Sequence, residues 1–260
     1  MKKIILSLIS YFFFSSPIFA QKNVGSAAKL EGNVYVLSIF IATSDDDWTK
    51  KEKELMYEKQ RIATNWLVKK AKEYKKKLAF VEGTFGYDKS VFVEEIPQAN
   101  ATGNERTDWI KFLLNKLGYK SPLQFHNWVL KNTKCTQSVV LIYANQTGNS
   151  YAFPYTANLD KEKYFVEGCF LYKKFTDGQI IYPSTIAHEM LHDFGAWDLY
   201  KNFMQGQDKE DKAKQLYPNE IMLRIALNIN ELEINGLTAW LVGLTEKKEK
   251  WYEWFKPDGY

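Results

Sequence analysis

The chain has 260 residues, long enough for one large domain with a substantial core. Hydrophobic residues make up 45% and charged residues 25%, ordinary values for a soluble globular protein. Setting aside Lys2 and Lys3, which belong to a leader described next, 33 basic residues face 31 acidic ones, a near-neutral balance that argues against a general nucleic-acid binder, which needs a concentrated basic face.

Residues 1–20 read as a secretory signal. Lys2 and Lys3 precede a mostly apolar run, Ile4 to Phe14, and a small Ala20 offers a cleavage point before Gln21. The expected product is a secreted or periplasmic single domain, 21–260, with no stable membrane insertion, since no later segment is long and uncharged enough to span a bilayer. Asn33–Thr43 is rich in β-branched and aromatic residues and predicts a strand. Thr49 and Glu52 form a capping-box pattern opening a helix to about Lys77, with Ile62, Ala63, Trp66, Leu67 and Tyr74 as its apolar stripe. A strand at about Leu78–Phe85 and a helix over Asn104–Leu117 follow. Ser121-Pro122 opens a short helix. Further strands are expected at Ser138–Gln146, Ser150–Thr156 and Tyr164–Phe175, and then a helix from Pro183. This order implies one α/β or α+β sheet with helices packed on it. Cys135 and Cys169 form a disulfide, which export would allow, or stay as two buried free thiols.

The stretch that carries chemistry is HEMLHDFGAWD, His188 to Asp198. On a helix, residues four apart share a face, so His188 and His192 can converge on one metal ion, and neutral imidazole is a good zinc ligand. Glu189 follows the first histidine and can stand beside the metal as a general base. Two of only three histidines fall in this pattern, among apolar neighbours Ile186, Ala187, Met190, Leu191 and Phe194. A buried helix does not carry two imidazoles and a carboxylate without compensation. Gly195 can end the helix with a positive φ and turn the chain back, bringing Asp198 towards the metal as third ligand. Glu220, Glu231 and Glu233 are the competing third ligands. The remaining histidine, His126, beside Phe125 and Trp128, reads as structural.

The string H-E-x-x-H-x-x-G-x-x-D resembles the extended zinc motif of the metzincin metallopeptidases, and Asp in the third ligand position is similar to the snapalysin-type branch. The resemblance implies an α+β fold with an α/β-like upper lobe: a mixed twisted sheet with long helices, a zinc helix, a Met-turn and a C-terminal helix. It places Met222, in Tyr217-Pro218-Asn219-Glu220-Ile221-Met222, in that turn, with Met204 the weaker competitor. It implies a Zn2+ cofactor, a protein or peptide substrate lying extended along the sheet edge, and an oxyanion donor near the turn, for which Tyr217 is the candidate. The last helix is expected to start at Asn230 and run through Leu232–Leu244. The rival to a peptidase is a non-catalytic secreted zinc-containing protein that binds a peptide or glycan, and a closed four-ligand site would favour it.

Overall fold

The computed structural model describes residues 25–96, 108–155 and 159–258, so the leader lies outside the described residues. Six strands form one sheet: β1 (Gly32–Ala42), β2 (Leu78–Phe85), β3 (Val91–Phe92), β4 (Gln137–Thr147), β5 (Tyr151–Phe153) and β6 (Glu167–Lys174). The order is β2-β1-β4-β6-β5, with β3 also pairing with β1. All pairings are parallel except that of the edge strand β5, which runs antiparallel to β6. The fold is therefore α+β with a mostly parallel six-stranded sheet.

The central strands are continuous apolar runs because both faces are covered. Alternation then sorts their side chains into two cores. Val34, Val36 and Phe40 of β1, Val139, Leu141 and Tyr143 of β4, and Cys169 and Leu171 of β6 point to one face. That face is covered by helix α1 (Lys50–Glu73) and helix α5 (Pro183–Asp193). Leu37, Ile39 and Ile41, Val140 and Ile142, and Phe170 and Tyr172 point to the other. Helices α2 (Trp109–Lys116) and α3 (Pro122–Asn132) pack there. A one-turn helix, α4 (Lys161–Tyr164), leads into β6; α6 (Gln207–Leu216) and α7 (Gly236–Leu241) follow α5 along the chain. Among the described residues no helix is long and apolar enough to cross a membrane.

The local signals at helix starts operate as expected. The Thr49 side chain accepts from the Glu52 amide and the Glu52 carboxylate returns to the Thr49 amide, a closed capping box worth about 1 kcal/mol. Ser121 caps α3, with Pro122 in its first turn. The α1 stripe is displaced, however. Ala63, Trp66 and Leu67 are buried, joined by Met56, Tyr57 and Gln60, while Ile62 is exposed.

Other expectations need correction. The strand expected from Tyr164 starts at Glu167, because Asp160 caps a helical turn over Lys161–Tyr164. β5 is only three residues, and residue 156 lies outside the described residues. Helix α2 is described from Trp109; residues 97–107, where its expected start falls, lie outside. The C-terminal helix does not begin at Asn230. Asn228 caps a 3-10 turn over Ile229–Glu231, and Asn235 caps α7 at Gly236. Between the two caps the chain is extended, since Glu233 exchanges backbone hydrogen bonds with Asn219 and Ile221. The disulfide is absent: both cysteines are free. Cys135 belongs to the core beneath α2 and α3, Cys169 to the core beneath α1 and α5, so the sheet stands between them.

Candidate metal centre

Helix α5 begins at Pro183, whose ring fits the first helical turn and lacks the N–H that would go unbonded there. It ends because Gly195 takes φ +96°, a left-handed conformation that side chains disfavour. Gly195 and Ala196 amides donate to the His192 and Leu191 carbonyls at 2.9 and 3.0 Å, closing the helix end. The chain thus doubles back under the helix. Asp198 arrives with Oδ1 3.2 Å from His188 Nε2 and 3.1 Å from His192 Nε2. The imidazole planes stand at 86° with centroids 4.9 Å apart.

Both rings are oriented from behind. His188 Nδ1 lies 2.9 Å from the Ile221 carbonyl, and His192 Nδ1 lies 2.8 Å from the Ala196 carbonyl. A carbonyl only accepts, so each Nδ1 carries the proton. In neutral imidazole each Nε2 then presents a lone pair, and both lone pairs face the Asp198 carboxylate. Three acceptors with no donor among them repel, unless the rings take on protons or a cation sits between them. Taken by themselves the groups show this tension. Burial opposes charge on both rings, yet Asp198, with Glu189 behind it, outweighs burial and raises both, His192 to about 9. Burial pushes the Asp198 carboxyl up, but the two imidazoles hold it far below the usual carboxylate range.

The donor set fits zinc. Around a tetrahedral ion with bonds of about 2.0–2.1 Å, neighbouring ligand atoms stand roughly 3.3 Å apart. The observed 3.1 and 3.2 Å separations are close to that edge. Two imidazole nitrogens and one carboxylate oxygen are a usual zinc complement. A Glu189 carboxylate oxygen also lies within 4.8 Å of nitrogens of both rings. Glu189 is buried, and burial is the main reason its carboxyl is raised above the ordinary range, against the pull of the two imidazoles.

The competing ligands are elsewhere. Glu220 is buried, but its carboxylate accepts from the Asn235 amide at 2.7 Å and the Met222 amide at 3.4 Å. Glu231 and Glu233 are exposed. Met222 is fully buried in a tight turn in which the Glu220 carbonyl accepts from the Leu223 and Arg224 amides. The turn is stitched to the motif twice, through the Ile221 carbonyl on His188 and the Met222 carbonyl on the Leu199 amide at 2.8 Å. Met204 sits in the loop after Asp198, its carbonyl accepting from Asp258. His126 is structural in its contacts: Nδ1 pairs with the Ser138 hydroxyl at 2.9 Å, and burial lowers its pKa.

Tyr217 stacks on Trp251, centroids 5.9 Å apart, with Tyr252 and Glu249 nearby, so its contacts lie in the C-terminal aromatic cluster. The tyrosine beside the imidazoles is Tyr200. Its ring lies 6.1 Å from that of His188 and its hydroxyl faces Asp198. Burial, and then the Asp198 and Glu189 carboxylates, push its pKa up, so it stays a donor. Sequence reasoning missed it, although the signal was present. After the helix ends at Gly195, residues two apart on an extended chain share a side, which puts Tyr200 with Asp198.

No protein-family model matches the chain, and no curated protein matches its sequence.

Proposed function

We propose that this chain is a zinc-dependent peptidase of metzincin type, exported to the periplasm or beyond, acting on protein or peptide substrates. The observation that carries the reading is the convergence of His188 Nε2, His192 Nε2 and Asp198 Oδ1, with both Nδ1 atoms tied to backbone carbonyls. His188, His192 and Asp198 would hold the ion. When bound, zinc supplies Lewis-acid chemistry, acidifying water and polarising a carbonyl. Glu189 is the general base: its carboxylate takes a proton from the attacking water and returns it to the leaving amine nitrogen. Its raised pKa favours the first transfer, because a carboxylate that holds its proton more tightly is the stronger base. Tyr200, protonated and aimed into the same space, donates to the oxygen that gains charge as the carbonyl is attacked. The edge strand β5, which contacts α5, is the sheet edge along which an extended substrate can lie. On this reading Met222, buried in its turn, would be the methionine of the Met-turn.

The closeness of Glu189 to both imidazoles also favours a specific rival, a closed site in which Glu189 is a fourth ligand and the protein only binds. One variant separates the two. Glu189→Gln in the peptidase retains zinc and loses 10²-fold or more of its cleavage of an unfolded protein, in line with the roughly 10²–10⁴-fold typical of general-base loss. Loss of zinc together with an inactive wild type would establish the closed site instead.

A further inference from the structure

Asp198 has two carboxylate oxygens, and only Oδ1 faces the imidazoles. Oδ2 accepts from Asn202 Nδ2 at 2.8 Å. The other end of that carboxamide is also engaged: Asn202 Oδ1 accepts from the Met204 amide at 2.7 Å. A backbone N–H cannot accept, so the amide oxygen must face Met204 and the NH₂ must face Asp198. The loop that carries Asn202 is itself anchored. The Asn202 amide donates to the Gln205 carbonyl at 3.2 Å, while the buried Gln205 side chain donates to the Asp198 carbonyl at 2.8 Å and the Phe255 carbonyl at 2.9 Å. Residues 198–205 therefore form a closed hydrogen-bonded loop whose centre is the Asp198 carboxylate.

We infer that Asn202 is a positioning residue that holds Asp198 as a one-oxygen ligand, and that it thereby sets both the affinity and the coordination number of the metal centre. The inference rests on the zinc reading of the site. An unrestrained carboxylate rotates about its Cβ–Cγ bond and can offer both oxygens to a cation. Occupying Oδ2 with a fixed donor removes that option and points Oδ1 at the space between the two Nε2 atoms. It also leaves one tetrahedral position free of protein donors, which a two-oxygen Asp198 would crowd. Partners of this kind behind a metal ligand are commonly worth 10–100-fold in metal affinity.

The test uses the full mature chain, loaded with zinc for affinity and with cobalt(II) for spectroscopy. Asn202→Ala is expected to weaken zinc 10–100-fold in competition with a chelator. Its cobalt d–d bands should also be weaker than those of wild type, because these bands fade as coordination rises from four to five. Asn202→Asp supplies the control for folding. It keeps an acceptor for the Met204 amide but sets an oxygen against Asp198 Oδ2, so its cobalt spectrum should likewise depart from wild type. A folded variant of either kind with wild-type zinc affinity and a wild-type cobalt spectrum overturns the assignment, even if its zinc-free form melts earlier. A wild-type chain that binds no zinc overturns the zinc reading itself, and this inference with it.

Discussion

The two faces of the sheet are built from the same strands and are about equally apolar at their centres, yet they bury different chemistry. Under α2 and α3, apart from the buried His126–Ser138 pair, the core is hydrocarbon and aromatic rings: Phe125, Trp109, Phe170 and Tyr172 all pack against neighbouring rings. Under α1 and α5 the apolar layer surrounds His188, Glu189, Asp193 and Glu220, all buried. Groups of that kind cost several kcal/mol to desolvate unless each is paired or hydrogen-bonded. Here they are held by carbonyls, backbone amides and one another, and the Cys169 thiol donates to Asp193 at 3.2 Å. One face stores stability; the other spends part of its burial on holding charge in place.

That contrast is open to attack from both sides. Phe125→Ala, on the apolar face, should cost about 3–5 kcal/mol in chemical unfolding and leave zinc affinity unchanged. A matching loss of zinc affinity would show that the two faces are not independent. Tyr200→Phe, on the polar face, should do the reverse. We expect unchanged stability with turnover down about 10²–10³-fold, the usual cost of removing one oxyanion donor. Turnover equal to wild type removes Tyr200 from the chemistry.

A somewhat smaller effect concerns Glu220, whose carboxyl burial raises to about 7. The folded state holds this proton more tightly than the unfolded chain, where a carboxyl titrates near its ordinary 4.5. The stabilising contribution is therefore complete below about pH 4.5 and is lost as pH rises through 7, a change of about 3 kcal/mol. Glu220→Gln cannot ionise, so its stability should fall less than that of wild type between pH 5 and pH 8 in urea unfolding. Parallel curves would mean that Glu220 stays charged in the fold.

What could be read from the sequence was what depends on near neighbours. The capping box at Thr49, the proline start of α5 and the glycine stop at Gly195 act within a few residues, and the i,i+4 spacing fixes His188 beside His192 regardless of the rest of the fold. Asp198 was legible because Gly195 dictates the reversal. Tyr200 and Asn202 were not, since their value depends on where that reversal points. The cysteine pairing failed for the same reason. Cys135 and Cys169 were considered as a pair without knowledge of strand register, and a single-residue alternation decides which face a side chain occupies. The last helix was misplaced because Asn230 carries a cap-like residue type, while long-range bridging by Glu233 keeps the next residues extended.

The two carbonyls that orient the histidines differ in their distance along the chain. Ala196 is four residues from His192, whereas Ile221 is 33 residues from His188. For a flexible chain, closing the longer loop costs about 2 kcal/mol more entropy. His192 is thus oriented as soon as its own helix forms and ends. His188 is oriented only after the chain has run on through α6 and folded back. The imidazole nearer the N-terminus is therefore the later of the two to be fixed, and the paired arrangement of the rings is a late product of folding. The carbonyl of Ile221 acts in this sense as a checkpoint, tying the orientation of His188 to the arrival of the last 40 residues of the chain.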